Sequence, residues 1–437
     1  MYLYAKGIKP NRRSCMRTVS KTVIGVDFGT QSARAVLVNA ENGEIIYSCR
    51  KEYPYNSTPV PAIDCAENLP CATDYEMTLY ELLRNVIPEE YRKTVAGICI
   101  DATSLTMVLL AEDGRALSEL DGWSEAAHAR VKLWKYHRAQ EKADEALNLA
   151  SNLQEPFLGR TGGSISCEWM LPKLLEVRDE APEIYSKIDL AMDLCEFLTF
   201  RLTGQLVRSI GSLSYKCLWA EDLSFPERTF LNGLRAGFYE EYCHFLRGDV
   251  RKPGECAGML RSELTKRWGL PEQIPVATGM LDGHTSLATM GAFEPGDAAL
   301  IVGTSNVCTV QDRKLQELKD VCGVAQEGMV TGSCGIDTGQ SSTGNMLGWF
   351  VEHMAGWQIH REAEERKISP HQVLAERIQK PWENKVIAVD WWSGSRNAPC
   401  DLTLRGSMSG LEMDTKTEDI YLALSLIHIS EPTRHSL

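Results

Sequence analysis

The chain has 437 residues, 43% of them hydrophobic and 24% charged, with a formal net charge of −13. That length can hold two or three domains with buried cores. The acidic balance excludes broad binding to nucleic acids or anionic membranes, since both need clusters of Lys and Arg. No apolar stretch approaches the length of a membrane span and no signal peptide is visible, so we expect a cytoplasmic protein.

The first fifteen residues are polar and basic, show no periodicity, and precede a second methionine at Met16. We treat residues 1–15 as an N-terminal extension outside the domains. Translation from Met16 would place the first strand close to the terminus, and a disordered natural extension is the alternative.

Two strand-turn-strand phrases stand far apart in the chain. TVIGVDFGTQSARAVLV runs from Thr22 to Val38, and ALIVGTSNVCTV runs from Ala299 to Val310. Each is a β-branched run that reaches Gly-Thr, turns, and enters a second apolar run, which predicts a hairpin. Gly29 and Gly303 allow close backbone approach, and consecutive turn amides can hold an anion. Two such hairpins indicate two related domains facing each other across a phosphate.

Strands and helices alternate after the first hairpin. We predict a strand near Glu44 to Tyr47, a helix from Asp74 to Val86, a buried strand from Val95 to Thr103, and a hairpin from Thr106 to Leu117. From Ser124 to Ala150 the pattern is polar and helical. This alternation favours an α/β domain with a mixed sheet.

Further helices are predicted at Glu168 to Arg178 and at Leu190 to Leu202. Val276 to Ala292 predicts a strand, a turn at Asp282-Gly283 and a small-residue helix. The turn at Glu294 to Asp297 marks the expected domain junction, and a later helix is predicted within Gly339 to Met354. We therefore divide the chain into a first domain, 16–292, and a second, 293–424.

The C-terminal segment has a different character. SLIHISEPTR, from Ser425 to Arg434, resembles the translation of a sequencing-library adapter, and we expect residues 425–437 to be such a tail. A genuine short tail is the alternative. Thr415 to Leu424 begins an amphipathic helix that Thr417 can cap, and it lacks a C-terminal signal. We therefore expect the second domain to be truncated.

Two aspartates suit phosphoryl transfer. Neither G-x-x-x-x-G-K-[ST] nor G-x-G-x-x-G is present, so the paired hairpins are the candidates for holding phosphates. Asp282 follows a predicted strand, where a carboxylate could accept the proton of an attacking hydroxyl. Asp27 is placed for Mg²⁺, directly or through water. Turn capping is the alternative for each, and their occurrence together with the hairpins favours the catalytic interpretation.

Longer phrases resemble the FGGY carbohydrate kinases, and among these the ribulokinases most closely, from Met16 to Leu424. The carrying phrases include VDFGTQSARA (Val26 to Ala35), GICIDATSLTM (Gly97 to Met107), GRTGGSISCEWMLPK (Gly159 to Lys173), GMLDGHTSLATMGA (Gly279 to Ala292), VGTSNVCTV (Val302 to Val310) and DWWSGSRNAPCDLTLRGSMSGL (Asp390 to Leu411). The resemblance implies two actin-like, ribonuclease-H-like domains around a central cleft. It also implies transfer of the γ-phosphate of ATP to the terminal hydroxyl of a ketopentose.

The resemblance also assigns site residues. It implies that Asp282 is the catalytic base and that Asp27 lies on the Mg²⁺ side. The implied contacts to the ATP phosphates are Asp27, Gly29, Thr30, Gln31, Gly303, Thr304 and Ser305. The implied contacts to the sugar are Ser104 with its backbone, Trp134, Lys216, Asp282 and Asp337. For a helical Trp, a place in the core is the alternative.

The chain departs from the ribulokinase pattern at two positions. Asp337 stands where Glu is usual, which withdraws the carboxylate by one C–C bond, about 1.5 Å. Gln31 stands where an acidic residue is common. The glycine-rich adenosine-binding stretch of the family would lie beyond Leu424, so we expect this chain to be an impaired enzyme.

We therefore expect an ATP-dependent kinase that converts L-ribulose to L-ribulose 5-phosphate. D-ribulose or xylulose is the alternative within the family, and a non-catalytic actin-like sugar-sensing protein is the alternative of another class. Asp282, the implied base, is present, and this disfavours the non-catalytic alternative. The sequence leaves the oligomeric state open, with a homodimer as one option.

Overall fold

The structure is a computed structural model that describes residues 20–53, 69–303, 305–379, 383–389, 391–395, 401 and 403–426. The N-terminal extension, Met16, Thr304 and the tail from residue 427 lie outside these described residues. The strands, in chain order, are β1 (Thr22–Phe28), β2 (Ser32–Asn39), β3 (Ile45–Glu52), β4 (Val95–Ala102), β5 (Met107–Leu110), β6 (Leu190–Asp193), β7 (Val207–Ser209), β8 (Asp249–Arg251), β9 (Cys256–Met259), β10 (Pro275–Ala277), β11 (Met280–Leu281), β12 (Ala298–Val302), β13 (Asn306–Asp312), β14 (Gly323–Gln326), β15 (Cys334–Gln340), β16 (Ile387–Val389) and β17 (Ser407–Ser409).

The helices connect these strands and cover the sheets. In chain order they are α1 (Ala72–Val86), α2 (Gln140–Leu153), α3 (Met170–Glu180), α4 (Pro182–Tyr185), α5 (Leu194–Thr203), α6 (Ile210–Lys216), α7 (Arg228–Leu234), α8 (Phe238–Phe245), α9 (Ser262–Trp268), α10 (Asp282–Met290), α11 (Gly344–His353), α12 (Trp357–Arg366), α13 (Pro370–Arg377) and α14 (Thr417–Leu426). Short 3₁₀ turns also occur, at Glu89–Thr94, Leu117–Glu119 and Pro156–Arg160. No helix in the described part of the chain is long and apolar enough to cross a membrane.

The first sheet is mixed, as predicted. Its strand order is β3-β2-β1-β4-β10-β9, and β11 also pairs with β4. Strand β1 is antiparallel to β2, which confirms the first hairpin, and parallel to β4. Its buried residues alternate at Ile24, Val26 and Phe28, because one face of the strand packs on the core. The register places Asp27 directly opposite Asp101 on β4.

The second sheet is antiparallel, in the order β12-β13-β15-β14, and it contains the second predicted hairpin, which turns between Val302 and Asn306. A separate apolar cluster joins α11, α12, α13 and α14. Helix α14 buries Tyr421 to Leu424 and runs to Leu426, so Ser425 and Leu426, which we had assigned to the tail, are helical. The Ser425 hydroxyl donates to the carbonyl of Tyr421 at 2.8 Å.

The hairpin predicted through Asp113-Gly114 is present only in minimal form. One antiparallel bridge joins Leu110 to Ala116, and the amide of Ala111 donates to the carbonyl of Arg115 at 2.8 Å, whereas β5 pairs along its length with β6, far along the chain. Leu117–Glu119 forms a 3₁₀ turn instead of a strand, because the Glu119 carboxylate accepts from the backbone amide of Ala116 at 2.9 Å. The alternation of apolar and polar residues predicted a second strand here, but the hydrogen bond from Ala116 to the Glu119 side chain favours a 3₁₀ turn instead.

The helix predicted from Ser124 to Ala150 is wrong over its first half, since α2 begins only at Gln140. Residues 124–139 are turns and irregular structure. Lys132 and Met107 exchange two backbone hydrogen bonds, of 2.9 and 3.1 Å, which fasten this segment to β5 and prevent helix formation. Trp134 is consequently not a helical residue.

Two other predicted elements differ in detail. Leu190 to Leu202 is a strand followed by a helix, because Asp193 caps α5 by accepting from the amide of Leu194 at 2.7 Å. Gly204 ends that helix in the left-handed conformation (φ 73°), as predicted. Asp282 opens α10 rather than lying in a turn.

The two sheet units make direct backbone contact. The amide of Leu318 donates to the carbonyl of Gly159 at 3.2 Å, and the amide of Asp320 donates to the carbonyl of Gly162 at 3.0 Å. The Tyr215 hydroxyl donates to the carbonyl of Gly335 at 2.7 Å. These bonds hold the second sheet against helices of the first unit and so shape the space between them.

A buried ion pair holds α5 to β7. Arg208 is fully buried, and its Nη1 lies 2.8 Å from Oε2 of Glu196. The same guanidinium donates to the carbonyls of Ala191, Phe245 and Arg247 at 2.8 to 2.9 Å. Removing one charge from such a pair leaves the other without its partner, which is strongly destabilising.

Glu196→Gln should therefore lower the free energy of unfolding by about 3 kcal/mol or more, measured by urea titration. The matched control is Glu365→Gln, which removes the same charge from the exposed pair of Arg361 and Glu365. It should change the free energy of unfolding by less than about 1 kcal/mol. Equal effects of the two substitutions would contradict this account of the buried pair.

Candidate active site

One cavity brings together the five residues predicted to contact sugar. Its volume is about 130 Å³, and its lining includes Ser104, Trp134, Lys216, Asp282 and Asp337. The first four come from the first unit, whereas Asp337 comes from β15 of the second sheet. The cavity therefore lies between the two units. The role of each residue stays a prediction.

Asp282 is the first residue of α10, directly after β11. The amide of Gly283 donates to its Oδ1 at 2.7 Å. Burial raises the pKa of Asp282 to about 7; the Gly283 hydrogen bond and Lys216 oppose this rise, whereas Asp27 adds to it. A carboxylate that exchanges its proton near neutral pH is suited to general-base catalysis.

Asp27 and Asp101 form a carboxylate pair on neighbouring strands. Burial raises the pKa of Asp101 to about 8, and the negative charge of Asp27 adds to this effect. Burial also raises the pKa of Asp27, whereas Arg34 opposes that shift. Both carboxyl groups are therefore more easily protonated than a free aspartate. Asp101 was predicted only as part of the buried strand from Val95 to Thr103, because its pairing with Asp27 appears only in the register of β1 and β4.

These carboxylates could bind Mg²⁺ only if phosphate oxygens or water molecules supplied the remaining ligands. Among the described residues, no group of three or more His, Cys, Asp or Glu side chains is arranged to hold a metal ion. Mg²⁺ commonly uses one or two carboxylates and takes its other ligands from water and substrate phosphates. Asp27 could supply one, and the buried Oδ1 of Asp101 has no hydrogen-bond partner within the described structure.

Three buried polar atoms in the lining of the cavity lack a hydrogen-bond partner among the described residues. They are Ser104 Oγ, His284 Nδ1 and Asn306 Oδ1. Buried polar atoms are normally paired, so water or a polar ligand is expected to complete these three hydrogen bonds. His284 and Asn306 were not among the predicted site residues, although each lies one or two residues after one of them.

A buried lysine supports two of the predicted sugar residues from behind. Lys173 Nζ donates to the carbonyl of Leu105 at 3.0 Å and to that of Leu133 at 2.9 Å. Leu105 follows Ser104 and has a positive φ of 42°, while Leu133 precedes Trp134. Burial lowers the pKa of Lys173 to about 7. This lysine positions both segments without lining the cavity itself.

The first predicted phosphate loop adjoins the cavity through Trp134. The indole Nε1 of Trp134 donates to the Thr30 hydroxyl at 3.1 Å, and the Tyr53 hydroxyl donates to the carbonyl of Gly29 at 2.8 Å. Gln31 is exposed at the edge of this turn. The loop is thus fixed beside the sugar residues, while its contacts to phosphate stay a prediction.

The second predicted phosphate loop lies against the start of α10. A Cβ added to Gly283 would lie 3.5 Å from Val307, an ordinary van der Waals distance, so the strand that follows this loop packs close to α10. The amide of Gly303 donates to the carbonyl of Ser305 at 3.0 Å. A phosphate contact by that amide therefore requires this turn to open. Thr304 lies outside the described residues.

The fold is that of known carbohydrate kinases. A ligand-bound xylulose kinase from Lactobacillus acidophilus has a TM-score of 0.73 at 18% identity, with 93% of this chain and 76% of that chain covered. Glycerol kinase from Plasmodium falciparum, solved with ADP, has a TM-score of 0.69 at 16% identity, with 93% and 76% covered.

Sequence comparison defines the family. The model of the N-terminal domain of the FGGY family of carbohydrate kinases matches residues 22–289, and the model of its C-terminal domain matches residues 298–426. The chain belongs to this family. A ribulokinase of Halalkalibacterium halodurans is 32% identical over 415 residues, covering 93% of this chain and 74% of that protein. A ribulokinase of Mycolicibacterium smegmatis is 35% identical over 420 residues, covering 92% and 74%.

The raised pKa of Asp282 predicts a pH profile for sugar phosphorylation. A general base acts only when ionised, so kcat/KM should fall about tenfold per pH unit below about pH 7. Asp282→Asn should lower kcat by about 10² to 10⁴-fold and remove this acidic limb. Coupled ADP release between pH 5 and 9 measures both effects.

The control for this substitution is Asp113→Asn, which alters an exposed aspartate that also precedes a glycine. It should leave kcat and the pH profile unchanged. Retained turnover in Asp282→Asn would refute the assignment of the base.

Proposed function

We propose that this chain is an ATP-dependent ketopentose kinase, with L-ribulose as its first substrate and L-ribulose 5-phosphate as its product. The observation that carries the proposal is the single cavity in which Asp282 meets Lys216 and Asp337. The ribulokinases at 32% and 35% identity support the choice of sugar. We propose that the chain divides into a first domain, 16–292, which supplies most of the residues that contact the sugar, and a second domain, 293–424, which binds the nucleotide.

Asp282 would accept the proton of the terminal sugar hydroxyl as that oxygen attacks the γ-phosphorus of ATP. The new bond joins the sugar oxygen to phosphorus, the bond to the bridging oxygen of ADP breaks, and ADP leaves. Mg²⁺, when bound, would neutralise charge on the phosphates, and Asp27 is the residue we expect to hold it. The turns at Gly29 to Gln31 and Gly303 to Ser305 would position the phosphates.

Polar groups from both units would orient the sugar. Lys216 can donate to a sugar carbonyl or hydroxyl, and the Asp337 carboxylate can accept from a hydroxyl. The buried atoms Ser104 Oγ and Asn306 Oδ1 would gain partners from the remaining hydroxyls. The indole of Trp134 supplies an apolar wall. Such pairing is selective, because a sugar lacking the matching hydroxyl leaves a buried polar atom without a partner.

D-ribulose or xylulose is the second candidate substrate, and one observation favours it. Asp337 is shorter than the Glu expected of ribulokinases, and its Oδ2 lies 3.8 Å from Lys216 Nζ. A withdrawn carboxylate alters the distance to a sugar hydroxyl and can therefore change which stereoisomer fits.

A panel assay tests these proposals. ADP release should be measured with L-ribulose, D-ribulose, D-xylulose and glycerol, and L-ribulose should give the highest kcat/KM. A higher value for D-ribulose or D-xylulose would establish the second candidate instead. Turnover of glycerol alone, or of none of the ketoses, would overturn the ketopentose proposal.

A further inference from the structure

The side chain of Asp337 forms two ion pairs across the boundary between the two units. Its Oδ2 lies 3.5 Å from Nε2 of His284 on α10 and 3.8 Å from Nζ of Lys216 on α6. Both partners belong to the first unit, whereas Asp337 belongs to β15. Its orientation therefore depends on groups that the first unit presents.

The two partners differ in rigidity. Lys216 has a flexible four-carbon stem, whereas His284 is a buried ring only two residues after the proposed base, in the first turn of α10. The imidazole packs edge-on against the ring of Tyr215, with centroids 4.7 Å apart and an interplanar angle of 66°. His284 is thus the contact that can fix the direction of the carboxylate.

Tyr215 in turn is held by the second unit. A Cβ added to Gly323, Gly328 or Gly335 would come within 2.7, 2.7 and 2.5 Å of atoms of the Tyr215 side chain. We call these three residues the glycine socket. The Tyr215 hydroxyl also donates to the carbonyl of Gly335, two residues before Asp337 on the same strand. The strand that carries Asp337 is therefore fastened to the residue that packs on His284.

We propose that His284 is a positioning residue that fixes the Asp337 carboxylate for recognition of the ketose, with Tyr215 and the glycine socket holding the strand in register. This inference rests on the proposed function. His284 Nε2 restrains one oxygen of the Asp337 carboxylate. Because Asp has one side-chain torsion fewer than Glu, this single contact leaves the carboxylate few other orientations. Sugar affinity then depends on Nε2, while the chemistry at Asp282 does not.

A matched pair of variants separates Nε2 from the bulk of the ring. In His284→Gln, the side-chain amide nitrogen can occupy the place of Nε2 and donate to Asp337. In His284→Asn, the amide reaches only as far as Nδ1. Both variants lose the aromatic contact with Tyr215 to the same degree.

His284→Asn should raise the KM and the calorimetric Kd of the preferred ketose about tenfold, while kcat and the KM of ATP change less than about threefold. His284→Gln keeps a donor near Asp337 and should therefore lie between the wild type and His284→Asn in ketose KM and Kd, with kcat and the KM of ATP changed less than about threefold. Melting temperatures of both variants check that the fold is retained. Tyr215→Phe removes only the hydroxyl bonded to Gly335 and should raise the ketose KM about threefold. This variant tests the proposal if neither His284 variant folds.

Equal values for the two His284 variants would overturn the proposal, whether both match the wild type or both are impaired, because only the contact with Asp337 distinguishes them. An unchanged ketose KM in Tyr215→Phe would overturn the part played by that residue. The wild type is measured first with the same sugars. Absence of ketose binding and ketose-dependent ADP release there would refute the proposed function, which is a separate outcome.

Discussion

Crowding of carboxylates at one edge of the first sheet is the constraint on which the site depends. Strands β1 and β4 carry Asp27 and Asp101 side by side, and β11 delivers Asp282 beside them. Burial and mutual repulsion raise the pKa of Asp101 to about 8 and that of Asp282 to about 7. Lys216 and the amide of Gly283 offset part of this rise at Asp282, and a bound cation or a proton would offset more of it.

The cavity is formed by both units, because the second unit supplies the carboxylate that faces the residues of the first. The first sheet and its helices provide the proposed base, Trp134 and Lys216, but the opposing carboxylate comes from β15. Backbone hydrogen bonds and the glycine socket hold that strand close. The ion pairs of Asp337 with Lys216 and His284 both cross the boundary, so the position of this carboxylate in the cavity depends on the relative placement of the two units.

The parts of the fold that the sequence predicted are those governed by local patterns. Both hairpins alternate and turn at glycine, so their strands could be read directly, and a capping glycine marked the end of α5. The irregular structure of residues 124–139 could not be predicted from local patterns, because the backbone of Lys132 pairs with Met107 on β5, a strand distant in sequence. Asp101 was missed for the same reason: its chemistry follows from the register with β1, which one strand alone does not reveal.

The glycine socket also limits how this protein can change through mutation. A Cβ at Gly323 or Gly328 would come within 2.7 Å of the Tyr215 ring, and one at Gly335 within 2.5 Å of its hydroxyl oxygen and 2.7 Å of Met329 Sδ. A substitution at any of these three glycines therefore requires the surrounding side chains to move. Tolerance at the three positions depends on the size of the side chain at position 215. Asp337 lies two residues beyond Gly335 on β15, so the packing around Tyr215 also limits where its carboxylate can lie.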